Sequence, residues 1–306
     1  MSRAATLKES APPQHSHERH RPEKTLLYSI IDRHYPAFRA YMSEQGRSLP
    51  YYVQKEFDEY LKCGRLEHGF LRVQCSTCHH ERLVAFSCKR RGFCPSCGAR
   101  RMAESAAMLV DEVLPHEPIR QWVLSFPFQL RFLFASRPEL MGKVLGIVNR
   151  VIASHLIKKV GLTQKTAQTG SVTLIQRFGS ALNLNVHFHM LFLDGVYAKN
   201  KYGKAIFQRT NAPPQEELAQ LVRTISHRVA RYLERQGILE RDAENSYLQL
   251  DGIDEDPMQQ LIGCSVSYRI ALGPQQGRKV FTLQTLPAVE GDDRYEQVAL
   301  VTSQTL

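Results

Sequence analysis

No apolar run in this 306-residue chain approaches the ~18–20 residues of a membrane span, and residues 1–23 hold no apolar signal core. Cysteine is scarce outside one region: Cys63, Cys75, Cys78, Cys88, Cys94 and Cys97 cluster, and Cys264 stands apart. Without a secretion signal, that clustering excludes a disulfide-stapled secreted domain and favours metal binding in a cytoplasmic protein. There is no internal repeat and no Ser-His-Asp pattern. The stretch GPQQGRK (273–279) lacks the phosphate-loop spacing and reads as a turn. A zinc hydrolase is disfavoured because no histidine–glutamate pair of the helical hydrolase kind is found.

What the chain has in excess is positive charge. A formal net charge of +10 and a pI near 9.3 favour a polyanionic partner, nucleic acid first and an anionic membrane surface second. The length suggests about two domains. Residues 1–23 are polar and proline-punctuated, with His15, His17 and His20 among charges, and predict a disordered basic arm.

From Thr25 the pattern turns helical, through Leu26, Leu27, Ile30, Ile31 and Tyr35, and a second helix is expected from Pro50 to Leu61. A third is expected from about Ala99 to Val113. Beyond Pro118, RQWVLSFP reads as a strand, residues 138–160 as a long helix, and SVTLIQRF as a strand closing at a Gly179 turn. Pro213 and Pro214 open a helix whose stripe of Leu218, Leu221, Val222, Ile225, Val229 and Tyr232 ends at Gly237. The acidic run 251–256 reads as a solvated loop. The fold class is α+β: a helical, metal-stapled N-terminal domain, then an antiparallel sheet with helices.

Cys75-x2-Cys78 and Cys94-x2-Cys97 are two knuckles fifteen residues apart, which suits a four-cysteine structural Zn²⁺ site. Cys63, Cys88, His68, His79 and His80 are left over. Spacing leaves open whether they form a second site or replace one of the four ligands. Lys89, Arg90 and Arg91 precede the second knuckle and Arg100 and Arg101 follow it, with Phe86 and Phe93 interleaved. Such clusters suit phosphate contacts, with aromatics to stack on bases.

In NLNVHFHMLFLDG (183–195) Leu184, Val186, Phe188, Met190 and Phe192 share one strand face, and Asn185, His187, His189 and Leu191 the other. The apolar face should pack on helices. Two imidazoles on the polar face can hold a divalent cation with open positions, as Lewis-acid chemistry on a phosphate requires. Asn185 shares their face, and a residue from another strand is an equal candidate for third ligand.

These stretches, CGRLEHGFLRVQCSTCHHERLVAFSCKRRGFCPSCGARRMAE, PIRQWVLSFPFQLRFLF and FGSALNLNVHFHMLFLDGVY, in this order, resemble the insertion-sequence-91-type rolling-circle transposases of the HUH (His-hydrophobic-His) endonuclease superfamily. The resemblance implies an N-terminal zinc domain over 24–115 that contacts DNA and a nuclease domain over 116–290, leaving 291–306 as an irregular tail. It implies Mg²⁺ or Mn²⁺ at His187 and His189, single-stranded DNA at element ends as substrate, and a tyrosine that attacks to give a 5′-phosphotyrosine link. It also implies a bacterial protein of the cytoplasm, associated with the nucleoid. Tyr197, Tyr202, Tyr232, Tyr247, Tyr268 and Tyr295 match no helix of the kind that carries the family's nucleophile. The chain is therefore expected to be truncated before that helix. The alternative is a non-catalytic, zinc-dependent DNA-binding protein derived from a transposase.

Overall fold

The computed structural model describes residues 21–90, 92–179, 183–241, 246–248, 256–280 and 300–302. Residues 1–20 of the expected basic arm and nearly all of the acidic run lie outside them, while the arm's last residues enter a short 3-10 turn, Pro22–Lys24, in which Pro22 is buried. The chain divides into two compact units, Met1–Val113 and Leu114–Leu306.

In the first unit, α1 (Leu26–Glu44) starts where the Thr25 hydroxyl accepts the Tyr28 amide, at 3.2 Å. It pairs with α2 (Tyr51–Lys62) through an aromatic cluster: Tyr35 stacks on Phe57 at 4.4 Å, and Phe93 lies 4.9 Å from both Phe57 and Tyr60. Phe93 is thereby committed to the core rather than to stacking on bases. A hairpin follows, β1 (Phe70–Gln74) and β2 (Glu81–Ala85), then α3 (Pro95–Met108), which ends in a wide helical turn at Leu109–Val113. α3 begins four residues before the expected Ala99, because Pro95 supplies a preset first-turn φ and lacks an amide that would go unbonded there.

The second unit is built on a four-stranded antiparallel sheet of β3 (Ile119–Ser125), β5 (Ser171–Phe178), β6 (Leu184–Leu193) and β11 (Leu300–Thr302), in the order β11-β3-β6-β5. Residues 300–302 are thus an edge strand paired with β3, not irregular tail; the free edge of β3 offers backbone donors and acceptors that a short extended segment satisfies. A second sheet joins β4 (Ala167–Gln168), β7 (Gly195–Lys199) and β8 (Ala205–Arg209). At its start Gly195 passes so close to β8 that a Cβ would lie 2.3 Å from the Gln208 carbonyl oxygen. Only glycine fits there.

α4 (Phe128–Ser136) and α5 (Pro138–Lys159) follow β3, α6 (Gln215–Arg235) follows β8, β9 (Leu239–Arg241) and β10 (Ser246–Leu248) form a short hairpin, and α7 (Pro257–Val266) is capped by the Asp256 carboxylate on the Met258 amide. α4 is not legible in the sequence because Gln129 and Arg131 alternate with apolar residues at period two, and Arg131 is itself buried, so no helical stripe shows. The core packs Trp122, Leu124, Val186, Phe188, Met190 and Phe192 of the sheet against Leu133, Phe134, Val144, Val148 and Ile152 of the helices. By length and composition α5 could cross a membrane, yet one side of it is buried in this core. The α6 stripe is buried at Leu221, Ile225, Val229 and Leu233, and the helix stops before Gly237, whose φ is +68°.

Candidate functional site

β6 is one of the two inner strands of its sheet, and strand alternation divides its side chains as the sequence implies. Val186, Phe188, Met190 and Phe192 are buried, while Asn185, His187, His189 and Leu191 are half-buried on the opposite face. The His187 and His189 ring centres lie 4.9 Å apart, edge to face. Beside them β3 sets Ser125 opposite His187 and Val123 opposite His189, and β5 sets Gln176 and Leu174 opposite the same two residues.

Both rings are oriented through Nδ1. That of His187 donates to the Asn185 carbonyl at 2.6 Å, so its Nε2 keeps a lone pair. The Nδ1 of His189 lies 2.8 Å from the Gln121 side-chain amide. The two ends of that amide exchange by a half-turn, so Gln121 can accept Nδ1–H through its oxygen and leave the His189 Nε2 lone pair for a cation. Burial, and then repulsion from His187, lowers the His189 pKa and favours the neutral ring a metal needs. The Asn185 side-chain oxygen is shielded from solvent and has no hydrogen-bond partner. That oxygen belongs to a residue on the same strand face as the two imidazoles, and an oxygen donor of this kind is what a hard divalent cation prefers.

Gln121 escaped the sequence reading. Alternation in RQWVLS puts Gln121, Val123 and Ser125 on one face, but nothing in the sequence says that β3 is the neighbour of β6. No tyrosine among the described residues is hydrogen-bonded or ring-stacked to either histidine. Tyr197 donates to Glu117 at 3.4 Å, and desolvation, with that carboxylate second, raises its pKa, so its phenolate is disfavoured. Tyr202 is exposed at the β7–β8 turn, Tyr232 packs against the core, Tyr247 lies in β10, Tyr268 follows α7, and Tyr295 falls outside the described residues.

In the first unit four sulfurs meet, and they are not the two expected pairs. Cys94 and Cys97 are joined by Cys63 and Cys88, all four within 4.8 Å of one another, whereas Cys75 and Cys78 stand exposed at the tip of the β1–β2 hairpin. The reason is in the backbone. Cys63 caps the end of α2, and the Gly64 amide bonds the Phe86 carbonyl at 2.9 Å, which clamps the base of the hairpin, not its tip, beside the α3 knuckle. The Cys88 amide then donates to the Cys63 sulfur at 3.2 Å.

The sulfurs of Cys63 and Cys97 are 3.7 Å apart, those of Cys88 and Cys97 3.5 Å, and those of Cys94 and Cys63 3.7 Å. A tetrahedral zinc ion with Zn–S bonds of ~2.3 Å has sulfur–sulfur edges of about 3.8 Å, so the four fit one ion. Hydrogen bonding from Cys63 pulls the Cys94 thiol down to about 5, while the same contact pushes Cys63 up and burial pushes Cys88 up to about 12. Sulfurs this close can all be thiolates only around a cation.

The cationic residues near the knuckle are unequally available. Arg90 sits 4.0 Å from the Glu56 carboxylate and 3.7 Å from that of Glu59, and Arg101 donates to the Lys89 carbonyl at 2.8 Å. Lys89 and Arg100 are exposed, and Arg91 lies outside the described residues.

Two family models match. Residues 30–126 match the transposase zinc-binding domain of the insertion-sequence-91 type, and residues 170–283 match the model described as "Putative transposase". The chain belongs to the insertion-sequence-91 family of transposases. No curated protein and no solved structure matches it. Family membership implies that this transposase binds DNA, and the zinc-domain match with the four-sulfur cluster supports structural zinc in the first unit. The second match contains β5, β6 and therefore both histidines.

Proposed function

We propose that this transposase cleaves and rejoins single-stranded DNA on the open face of β6. His187 and His189 would hold Mg²⁺ or Mn²⁺ there through Nε2, with the Asn185 side-chain oxygen as third donor. The observation that carries the reading is the pair of imidazoles, each fixed at Nδ1 and free at Nε2, with the unpartnered Asn185 oxygen on the same strand face. A bound divalent ion supplies Lewis-acid polarisation of a phosphate oxygen. Gln121 and the Asn185 carbonyl keep both rings in the ligating tautomer. In the reaction a tyrosine oxygen forms a bond to phosphorus, the bond to the 3′ oxygen breaks, and the proton lost by the tyrosine balances the one gained by the 3′-hydroxyl. The resulting 5′-phosphotyrosine keeps the phosphodiester energy, so the reverse attack rejoins strands without a nucleotide cofactor.

The test is a denaturing gel with labelled single-stranded DNA spanning an element end and Mn²⁺. A covalent protein–DNA band from the chain supports the reading, and the His187→Ala, His189→Ala double variant should lose that band by about 10²-fold or more, the loss expected when several kcal/mol of charge stabilisation disappear. Peptide mapping of the adduct names the tyrosine. A band that survives in the variant overturns the reading. Binding without a band in the parent chain supports the second reading, a non-catalytic DNA-binding transposase; it is favoured by the absence of tyrosine contacts to the histidines among the described residues.

For DNA binding we assign phosphate contacts to Lys89 and Arg100, the exposed members of the basic cluster. Lys89→Ala with Arg100→Ala should weaken binding similarly across sequences and flatten the dependence of log K on log[salt] by roughly 0.7 for each phosphate left without its cation. Titration at several salt concentrations measures this. Arg90→Ala, which removes a side chain already paired with glutamates, should change the slope less.

A further inference from the structure

The hairpin tip holds a pair of cysteines that the four-sulfur cluster does not use. The turn is tight: the Cys75 amide bonds the His80 carbonyl at 2.9 Å, the His79 amide bonds the Cys75 carbonyl at 3.0 Å, and His79 takes a φ of +57°, a left-handed value uncommon outside glycine. Within the turn the amides of Cys78 and Thr77 donate to the Cys75 sulfur. These bonds, the one from Cys78 first, lower its pKa to about 7. Two thiols on one tight turn, one of them stabilised as thiolate by backbone amides, form half of a tetrahedral metal site.

The other half is not supplied by the described residues of the same chain. The only group of three or more ligating side chains gathered among them is the Cys63, Cys88, Cys94, Cys97 set. That set lies at the hairpin base, and the four residue steps from Ala85 to Glu81 alone span roughly 13 Å. The hairpin is also exposed along its length. Leu71, Val73 and Val84 share one face with Arg82 and are 57%, 51% and 45% exposed, although a two-stranded ribbon is marginal without an apolar partner. Glu81, beside the tip, is held by Arg72 and is not the missing ligand. What suits the tip is a cation with two more thiolates, and an identical tip brought up by a two-fold axis offers both those sulfurs and a matching apolar face.

We propose that Cys75 and Cys78 form half of a second zinc site, completed by the same two cysteines of a second copy of this chain. One ion then sits on the two-fold axis, with the Leu71, Val73 and Val84 faces flanking it. The Cys63 cluster holds its own ion at the base of the hairpin.

The test uses the full chain purified with zinc, measuring metal per chain by atomic emission and mass by light scattering. The expected result is a dimer with about three zinc ions per two chains; the Cys75→Ser, Cys78→Ser double variant should be a monomer with about one ion per chain and an unchanged circular-dichroism spectrum. A monomeric parent chain overturns the proposal, as does a dimer whose mass and zinc content survive the double substitution. So does a monomer with about two ions per chain, which would mean that His79, His80 or water completes the site within one chain. A dimer with about one ion per two chains, lost in the double variant, would instead uphold the shared site and fail the Cys63 cluster.

Discussion

Cys63→Ser and Cys94→Ser are each expected to unfold the N-terminal unit while leaving the second unit intact, and chelation of zinc from the parent chain should do the same. Among its described residues the first unit has a thin core, with Pro22, Tyr28, Ile31, Tyr35, Met42, Leu49 and Tyr60 as the buried apolar side chains beside the two cysteines themselves. A core of that size rarely stabilises a domain alone. Zinc binding to a four-thiolate site is worth of order 10 kcal/mol, and because no such site exists in the unfolded chain, most of that is folding free energy. Serine oxygen is a poor substitute for thiolate. Amide hydrogen exchange read along the chain should therefore show protection lost across residues 26–113 and kept in β3, β5 and β6. Cys75→Ser with Cys78→Ser should leave that protection in place. The opposite pattern, collapse on losing Cys75 and Cys78 and tolerance of losing Cys63, would restore the ligand pairing that spacing alone suggests.

Asp194→Ala is expected to cost the second unit about 3–5 kcal/mol. Asp194 is 1% exposed and sits between the end of β6 and the start of β7, where the chain passes from one sheet to the other. Both its oxygens accept from Arg120, at 2.7 Å from Nε and 2.7 Å from Nη2, and Arg209 Nε lies 3.7 Å away. Its backbone joins the same corner: the amide donates to the Pro118 carbonyl at 2.7 Å and the carbonyl accepts from Thr210 at 2.8 Å. Alanine would strip a buried guanidinium of its carboxylate, which costs more than the pair contributes when whole. Thermal melts should fall by roughly 10 °C, given about 2–4 °C per kcal/mol for a unit of this size. Replacing both partners by apolar residues of similar volume should recover much of the loss, because no buried charge then remains. A single-variant cost below about 1 kcal/mol would mean that water reaches the corner and the pair is no more than a surface ion pair.

The corner also bears on the candidate chemistry. Arg120 and Gln121 are consecutive on β3, so one faces the core and pins the sheet junction while the other faces the histidines. Loosening the Arg120–Asp194 pair should therefore disturb the register that places Gln121 beside His189.

Strand and helix periodicities are local properties of the chain, and they were legible in it. Alternation in NLNVHFHMLFL decided which face of β6 would be buried and that His187 and His189 would share the other, because successive side chains of a strand must point to opposite sides. The α6 stripe and its stop at Gly237 follow in the same way from a 3.6-residue period and a left-handed glycine. Tertiary structure alone decided the partners. Gln121 meets His189 because β3 lies beside β6, a pairing across 68 residues of sequence. Cys63 and Cys88 displace Cys75 and Cys78 from the cluster because the hairpin is clamped at its base. A Cys-x2-Cys spacing determines that two sulfurs face one way from one turn. Which two sulfurs complete the tetrahedron depends on where the backbone hydrogen bonds bring distant segments together, and no spacing encodes that.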